Sequence, residues 1–368
     1  YSVKDVFLVN KRTQWNLQIC MLACEISSEH WVVQHKARIV AAQAAQKPRR
    51  GEFELYVVCF VHSRKSKLYV VRFVHTNTKF GGKHMKISPT LTEVKEIAKT
   101  GKYDILPVSC EILSDFITPI EAMRILQNVS THCYLLESAQ ANEAWGRYTF
   151  LGYDPKLEIN CIDGHMKLGK LSVETENPSE YISQILSEYK SPKFDYLPSF
   201  TGGLVGYFSY DYLGYKEKSI RGKARDTEDF KDVDLMLFDK VIAFDNLCQK
   251  IILIANMSLD AQETGYNKAI VELKQLRELL MHGEKKQNMG GKLLGEVTPL
   301  FDKEQYCEMV EKAKLHIKEG DIFQIVLSNR LSAPFEGSLF DTYRVLRTIN
   351  PSPYMFYFSG TDVEVAGA

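Results

Sequence analysis

Leu135-Leu136-Glu137-Ser138 sets a carboxylate and a hydroxyl beside two leucines. A carboxylate can hold an ammonium, a hydroxyl can bond either end of an amino acid, and leucines can pack against an apolar ring. Those are the parts of an amino-acid pocket. They also fit a plain strand edge, with the leucines inward and the polar pair outward. Gln324, in Gly320-Asp-Ile-Phe-Gln-Ile-Val-Leu-Ser-Asn-Arg330, is an amide among apolar neighbours. It reads either as a site residue or as a buried amide satisfied by backbone partners. Asn350-Pro-Ser-Pro-Tyr-Met-Phe356 places two prolines at a strand start, which makes a rigid turn.

Other constellations lead away from chemistry. Thr201-Gly-Gly-Leu-Val-Gly206 has neither the G-x-G-x-x-G spacing nor a Walker lysine, and Tyr207-Phe-Ser-Tyr-Asp-Tyr212 after it reads as a strand. Its glycines fit close backbone packing in a crowded sheet. Asp232, Asp234 and Asp239 lack the spacing of a calcium loop and read as a solvated edge. No Ser-His-Asp order and no His-Glu-x-x-His motif is present. The eight cysteines are scattered, which suits isolated buried thiols.

The elements that must carry these residues follow from pattern. Thr92 to Thr100 is short, polar and helical in character. Thr118 is a candidate N-cap, with Pro119 and Glu121 in the first turn. Cys133–Glu137 and Tyr148–Gly152 read as strands around a polar loop, and Trp145-Gly-Arg-Tyr-Thr-Phe150 reads as a core aromatic cluster. Asp239–Asp245 and Lys250–Met257 read as an antiparallel pair turning at Asn246. Tyr266, Ala269, Ile270, Leu273, Leu276 and Leu280 recur at helical spacing and predict a helix near 262–282. Residues 283–300 read as a linker. Asp302 with Gln305 predicts the next helix, Tyr306, Met309, Val310, Ala313 and Ile317 form its apolar face, and Gly320 ends it. Asp321 to Leu331 then reads as a strand. The fold class is α+β, mainly antiparallel sheet with peripheral helices.

Composition bounds the rest. The 368 residues net to zero formal charge, which argues against a general nucleic-acid binder. No apolar run reaches the roughly 18 residues of a membrane helix, and no signal peptide is evident. The expected location is the cytoplasm. The zero charge hides a step: residues 1–84 hold fourteen Lys and Arg against five Asp and Glu, a balance of +9, which leaves −9 for 85–368. Leu55-Tyr-Val-Val-Cys-Phe-Val-His62 returns as Leu68-Tyr-Val-Val-Arg-Phe-Val-His75, a plausible hairpin. Phe80-Gly-Gly-Lys-His-Met85 back-translates as a ribosome-binding sequence before a start codon. Residues 1–84 are therefore left unassigned, with upstream sequence read through in frame as the expectation and Met85 as the expected natural start. The chain opens on Tyr1 and closes on Ala368, and both ends read as cut.

Taken in order, Leu135-Leu-Glu-Ser138, Gly202-Gly-Leu-Val-Gly-Tyr207, Gly320-Asp-Ile-Phe-Gln324 and Asn350-Pro-Ser-Pro-Tyr-Met-Phe356 make residues 85–368 similar to the large subunit of anthranilate synthase. The resemblance implies that 85–282 is that family's amino-terminal domain and 301–368 the start of its chorismate-binding domain. It implies an enzyme that makes anthranilate and pyruvate from chorismate and ammonia, the ammonia coming from glutamine through a glutamine amidotransferase subunit. It implies feedback inhibition by tryptophan, with Glu137, Ser138, Pro353, Tyr354 and Met355 in the tryptophan pocket. Gln324 takes the family position near the chorismate ring, where isochorismate-forming relatives carry a lysine. Mg²⁺ is the implied cofactor, with ligands expected beyond residue 368, so the fragment alone is expected to be inactive. Two other readings stay open: the large subunit of aminodeoxychorismate synthase, and a tryptophan-binding sensor without catalysis.

Overall fold

The computed structural model describes residues 55–59, 69–73, 85–138, 146–220, 230–287 and 290–368. The chain divides into two units, 1–84 and 85–368. In the first, β1 (Leu55–Cys59) and β2 (Tyr69–Phe73) pair antiparallel, with Val57 opposite Val71. This is the hairpin that the repeat predicts. The other expectations for 1–84, and Trp145 with most of its loop, lie outside the described residues.

The second unit opens with β3 (Ile87–Ser88), α1 (Leu91–Lys99) and β4 (Ile105–Leu113). Thr90 and Glu93 cap α1 reciprocally. Then come α2 (Pro119–Val129), whose first turn is held by the Thr118 hydroxyl accepting from the Glu121 N–H, and β5 (Cys133–Glu137). Four strands follow: β6 (Tyr148–Tyr153), β7 (Leu157–Ile162), β8 (His165–Leu168) and β9 (Leu171–Glu174). After α3 (Pro178–Ser187) come β10 (Gly203–Phe208), β11 (Val233–Phe238), β12 (Lys240–Asp245) and β13 (Lys250–Ser258). The helix α4 spans Gln262–His282, as its periodicity predicts.

The remaining elements are short strands and two helices. Two-residue strands β14 (Lys292–Leu293) and β15 (Thr298–Pro299) precede α5 (Lys303–Glu319). Asp302 and Gln305 form the capping box of α5, and Gly320 closes it at φ 84°. Then come β16 (Leu331–Ser332), β17 (Phe335–Glu336), α6 (Leu339–Ile349), β18 (Met355–Ser359) and β19 (Glu364–Gly367).

Eight strands form one antiparallel sheet in the order β19-β18-β5-β6-β12-β13-β4-β3, and five form another, β10-β11-β7-β8-β9. Side chains alternate across a strand, so each sheet offers two faces. One face of the larger sheet, with Leu106, Leu135, Leu151, Leu253 and Tyr357, packs beneath α1, α2, α4 and α6. Its other face presents Tyr134 and Phe358 to Met236 and Phe238 of β11. The two sheets meet there. The far face of the smaller sheet packs Ile159, Met166 and Leu235 against Ile182 of α3. This is the expected α+β architecture, mainly antiparallel with helices outside.

Four expectations need correction. Asp232 and Asp234 are buried rather than solvated. Asp232 accepts from the Tyr215 hydroxyl at 2.7 Å and the Asp163 N–H at 2.9 Å, while Asp234 pairs with Lys231 at 3.2 Å. The strand read over Tyr207–Tyr212 ends at Phe208 and gives way to a 3₁₀ turn at Tyr210–Tyr215, where the tyrosines fold back onto one another. Asp321–Arg330 is irregular, because apolar content makes a strand only where a neighbour supplies the ladder; only Leu331–Ser332 pairs, with Thr298–Pro299. Phe323 in that stretch is 94% exposed. Of the cysteines, Cys110, Cys133 and Cys161 are buried as expected, but Cys248 and Cys307 are exposed. Burial pushes the Cys110 and Cys133 thiols up to about 12.

The turn between β12 and β13 contains a charged hydrogen-bond cluster. Asp245 accepts from Arg147 Nη2 at 2.7 Å and from the N–H groups of Leu247 and Cys248 at 3.1 and 2.9 Å. Burial alone would raise this carboxyl, but Arg147 and the Cys248 N–H outweigh it and hold it below its ordinary 3.8. A carboxyl with a depressed folded value adds stability above its unfolded value and loses it as pH falls through the folded one. Arg147→Met should therefore cost about 1.5 kcal/mol at pH 7. Urea midpoints of parent and variant should converge below pH 4. A constant gap from pH 7 to 3 would rule out this role for Asp245.

Candidate functional site

Glu137 and Met355 stand more than 200 residues apart in sequence, yet β5 and β18 pair so that they face each other. Leu136 stands opposite Phe356 and Leu135 opposite Tyr357. Ser138 follows directly on β5, and Pro353 and Tyr354 lead directly into β18. The turn between is held by the Tyr354 N–H donating to the Ser352 hydroxyl at 3.3 Å. The structure thus brings Glu137, Ser138, Pro353, Tyr354 and Met355 to one end of one strand pair. Gln324 is not part of it. That side chain is exposed in the irregular stretch after α5, not in a strand and not a buried amide.

The two faces of this strand pair differ. Cys133, Leu135, Glu137, Met355 and Tyr357 point toward α6, and Met355 is only 1% exposed. Above them, Phe340 meets the Tyr357 ring edge-on at 5.0 Å between centroids. Glu137 is buried there and held twice. Tyr343 donates its hydroxyl at 2.5 Å, and Arg347 donates from Nη2 at 2.9 Å with its Nε also against the carboxylate. Burial and the Glu137 charge push the Tyr343 phenol well up, so it remains a donor. The Glu137 carboxylate thus faces α6. Both oxygens are committed to α6, and Glu137 anchors that helix beneath the site. Met355 likewise fills the core rather than walling an open pocket.

On the opposite face the strand pair offers Leu136, half-buried, and Phe356, 38% exposed, whose ring lies across the bare Gly367 of β19. Tyr354 at the rim is 67% exposed. Leu136 also packs against the Tyr134, Phe238 and Phe358 cluster between the sheets, so this face is apolar, with Ser138 and Tyr354 at its end. Sequence reading offered Leu136 as a ring-packing leucine but gave Phe356 no role. Period-two alternation outward from buried Tyr357 places Phe356 on the same face as Leu136. Sequence reading also missed Tyr343 and Arg347, for which α6 carries no local signal.

Among the described residues, His316, Glu319 and Asp321 are the one group of potential metal ligands within reach of each other. They are exposed or half-exposed at the end of α5, and His316 Nδ1 already lies 2.8 Å from Asp321. One imidazole with two such carboxylates does not match the oxygen shell that Mg²⁺ prefers. Among the described residues, no helix is long and apolar enough to cross a membrane.

The family model described as chorismate binding enzyme matches residues 131–368. Anthranilate synthase component 1 of Acetivibrio thermocellus is 35% identical over 298 residues, covering 76% of this chain and 58% of that protein. That of Pseudomonas aeruginosa is 34% identical over 279 residues, covering 72% and 56%. The crystal structure of anthranilate synthase component I from Streptococcus pneumoniae TIGR4 matches with a TM-score of 0.50 at 27% identity, over 70% of this chain and 56% of that one. The chain therefore spans less than two thirds of the length of these relatives.

Proposed function

Because this chain belongs to the family of chorismate-binding enzymes, we propose that it is part of an anthranilate synthase large subunit whose β5–β18 strand pair forms the inhibitory tryptophan site. The observation that carries this reading is the register of Glu137 against Met355, which draws two distant stretches into one surface. In this reading the indole lies on Leu136 and Phe356, and the polar end meets Ser138 and the turn at Pro353 and Tyr354. Glu137 and Met355 act from below by fixing the strand pair to α6. The reaction joins ammonia to the chorismate ring as the ring hydroxyl leaves, then eliminates pyruvate. A glutamine amidotransferase partner supplies the ammonia, in the cytoplasm. Gln324 fits such a nucleophile. A neutral amide cannot take a proton near pH 7, but ammonia needs no base. Mg²⁺ belongs to the proposal as the ion that would neutralise the chorismate carboxylates. The described residues offer no matching ligand set.

A tryptophan titration tests the site. By calorimetry on this chain, Ser138→Ala should bind tryptophan ten- to a hundredfold more weakly, the equivalent of about 1.5–3 kcal/mol for one hydrogen bond to a charged group. In a chain that carries the continuing family sequence, the same change should raise the tryptophan needed to inhibit anthranilate formation and leave uninhibited turnover nearly intact. Unchanged affinity removes Ser138 from the pocket. Tryptophan binding with no anthranilate formed by the longer chain would favour a sensor over an enzyme.

A further inference from the structure

The two strands that flank β18 each send a carboxylate to α6, one to each end. From β5, Glu137 takes Arg347 in the last turn. From β19, Glu364 accepts from the Leu339 N–H at 2.8 Å and from the Ser338 hydroxyl at 3.4 Å, which holds the first turn. In register, Glu137 faces Met355 and Glu364 faces Ser359, so the two carboxylates stand at opposite ends of β18. Leu339 and Arg347 are eight residues apart, about 12 Å along a helix. Met355 and Ser359 are four residues apart, about 13 Å along a strand. The spans match, so α6 runs back along β18, with Phe340 and Tyr343 against Tyr357.

The end of α6 leads straight into the proposed site. Only Asn350, Pro351, Ser352 and Pro353 separate the helix from Tyr354. The Asn350 N–H donates to the Leu346 carbonyl at 2.9 Å, and each proline fixes its own φ. A link that short and stiff has little slack, so a shift of α6 along its axis moves Pro353 and Tyr354. The Arg347–Glu137 pair holds the helix beside the site. Glu364 holds it at the far end, where loss of a first-turn acceptor frees a backbone N–H and loosens the turn. The Glu364 side chain is exposed, so replacing it leaves no cavity in the core.

We infer that Glu364 is a positioning residue for the tryptophan site, because its hold on the first turn of α6 fixes where that helix delivers Pro353 and Tyr354. The inference rests on the tryptophan reading of the β5–β18 surface. Calorimetric titration of the 368-residue chain with tryptophan tests it. Glu364→Ala should bind about tenfold more weakly, an ordinary size for coupling carried through packed elements. Glu364→Gln keeps an oxygen for the Leu339 N–H and should stay within about twofold of the parent. Thr90→Ala removes a cap from α1, which follows the strand at the opposite edge of the same sheet, and should bind as the parent does. Linkage is reciprocal, so saturating tryptophan should slow amide exchange at Leu339 in the parent by about the same factor as the Glu364→Ala loss. A parent that binds no tryptophan removes the site itself, and this role with it. A parent that binds, with Glu364→Ala equally tight, removes the role of Glu364 alone. Equal weakening in Glu364→Ala and Thr90→Ala, which marks a general loss of stability, would do the same. So would Glu364→Gln as weak as Glu364→Ala, or Leu339 exchange that tryptophan leaves unchanged.

Discussion

Arg347→Met should cost the chain about 3–5 kcal/mol, because it strands a buried carboxylate. The Arg347 side chain is 33% exposed and that of Glu137 only 4%. The loss therefore arises from Glu137, whose buried carboxyl is left with only the Tyr343 hydroxyl as partner. Removing both charges should hurt less than removing one. A Glu137→Met, Arg347→Met double variant is expected to recover at least half of the loss, since apolar residues of similar size often replace a buried pair without penalty. Urea unfolding of the parent, the two single variants and the double variant closes the cycle. If Arg347→Met alone costs under 1 kcal/mol, the pair is a surface ion pair in effect and does not anchor α6.

Gly206→Ala is expected to be as damaging, for a purely steric reason. A Cβ at residue 206 would sit 1.9 Å from the Asp234 carbonyl oxygen and 2.9 Å from the Leu235 Cα, at a φ of +156°. The three nearest atoms all belong to the β11 backbone, so swinging a side chain aside cannot relieve the clash. Backbone strain and overpacking together suggest about 4 kcal/mol. Gly101→Ala is the control. It also has a positive φ, +61°, but nothing lies within 4 Å. It should lose only about 1 kcal/mol, the ordinary left-handed penalty. Guanidinium midpoints of the two variants decide the matter. Equal losses would mean that β10 moves off β11 freely and that the close packing at Gly206 holds nothing.

What was legible beforehand was local. The caps at Thr118, Asp302 and Gly320 stand where the sequence puts them, because a cap is settled within four residues. The periodicity of α4 gave its whole length. The strand pair at the site was legible only through resemblance, since nothing within Leu135–Ser138 names Met355 as its neighbour. What was not legible shares one cause. Asp321–Arg330 has strand-like composition but no ladder, Asp232 and Asp234 look solvated until Tyr215 and Lys231 close over them, and Glu137 looks available until Arg347 arrives from 210 residues away. In each case a distant partner, or the lack of one, overrides the local pattern.

The pairing of β5 with β18 also sets a clock on synthesis. At about 5–20 residues per second, a ribosome takes roughly 10–40 s to make the stretch from Glu137 to Met355. Throughout that interval Cys133–Glu137 is the outermost strand of a growing sheet, with one row of amides unpaired and Glu137 without its arginine. Nascent chains of this protein should be most vulnerable to sticking together in that window, and a chaperone that holds exposed strand edges should be most useful there.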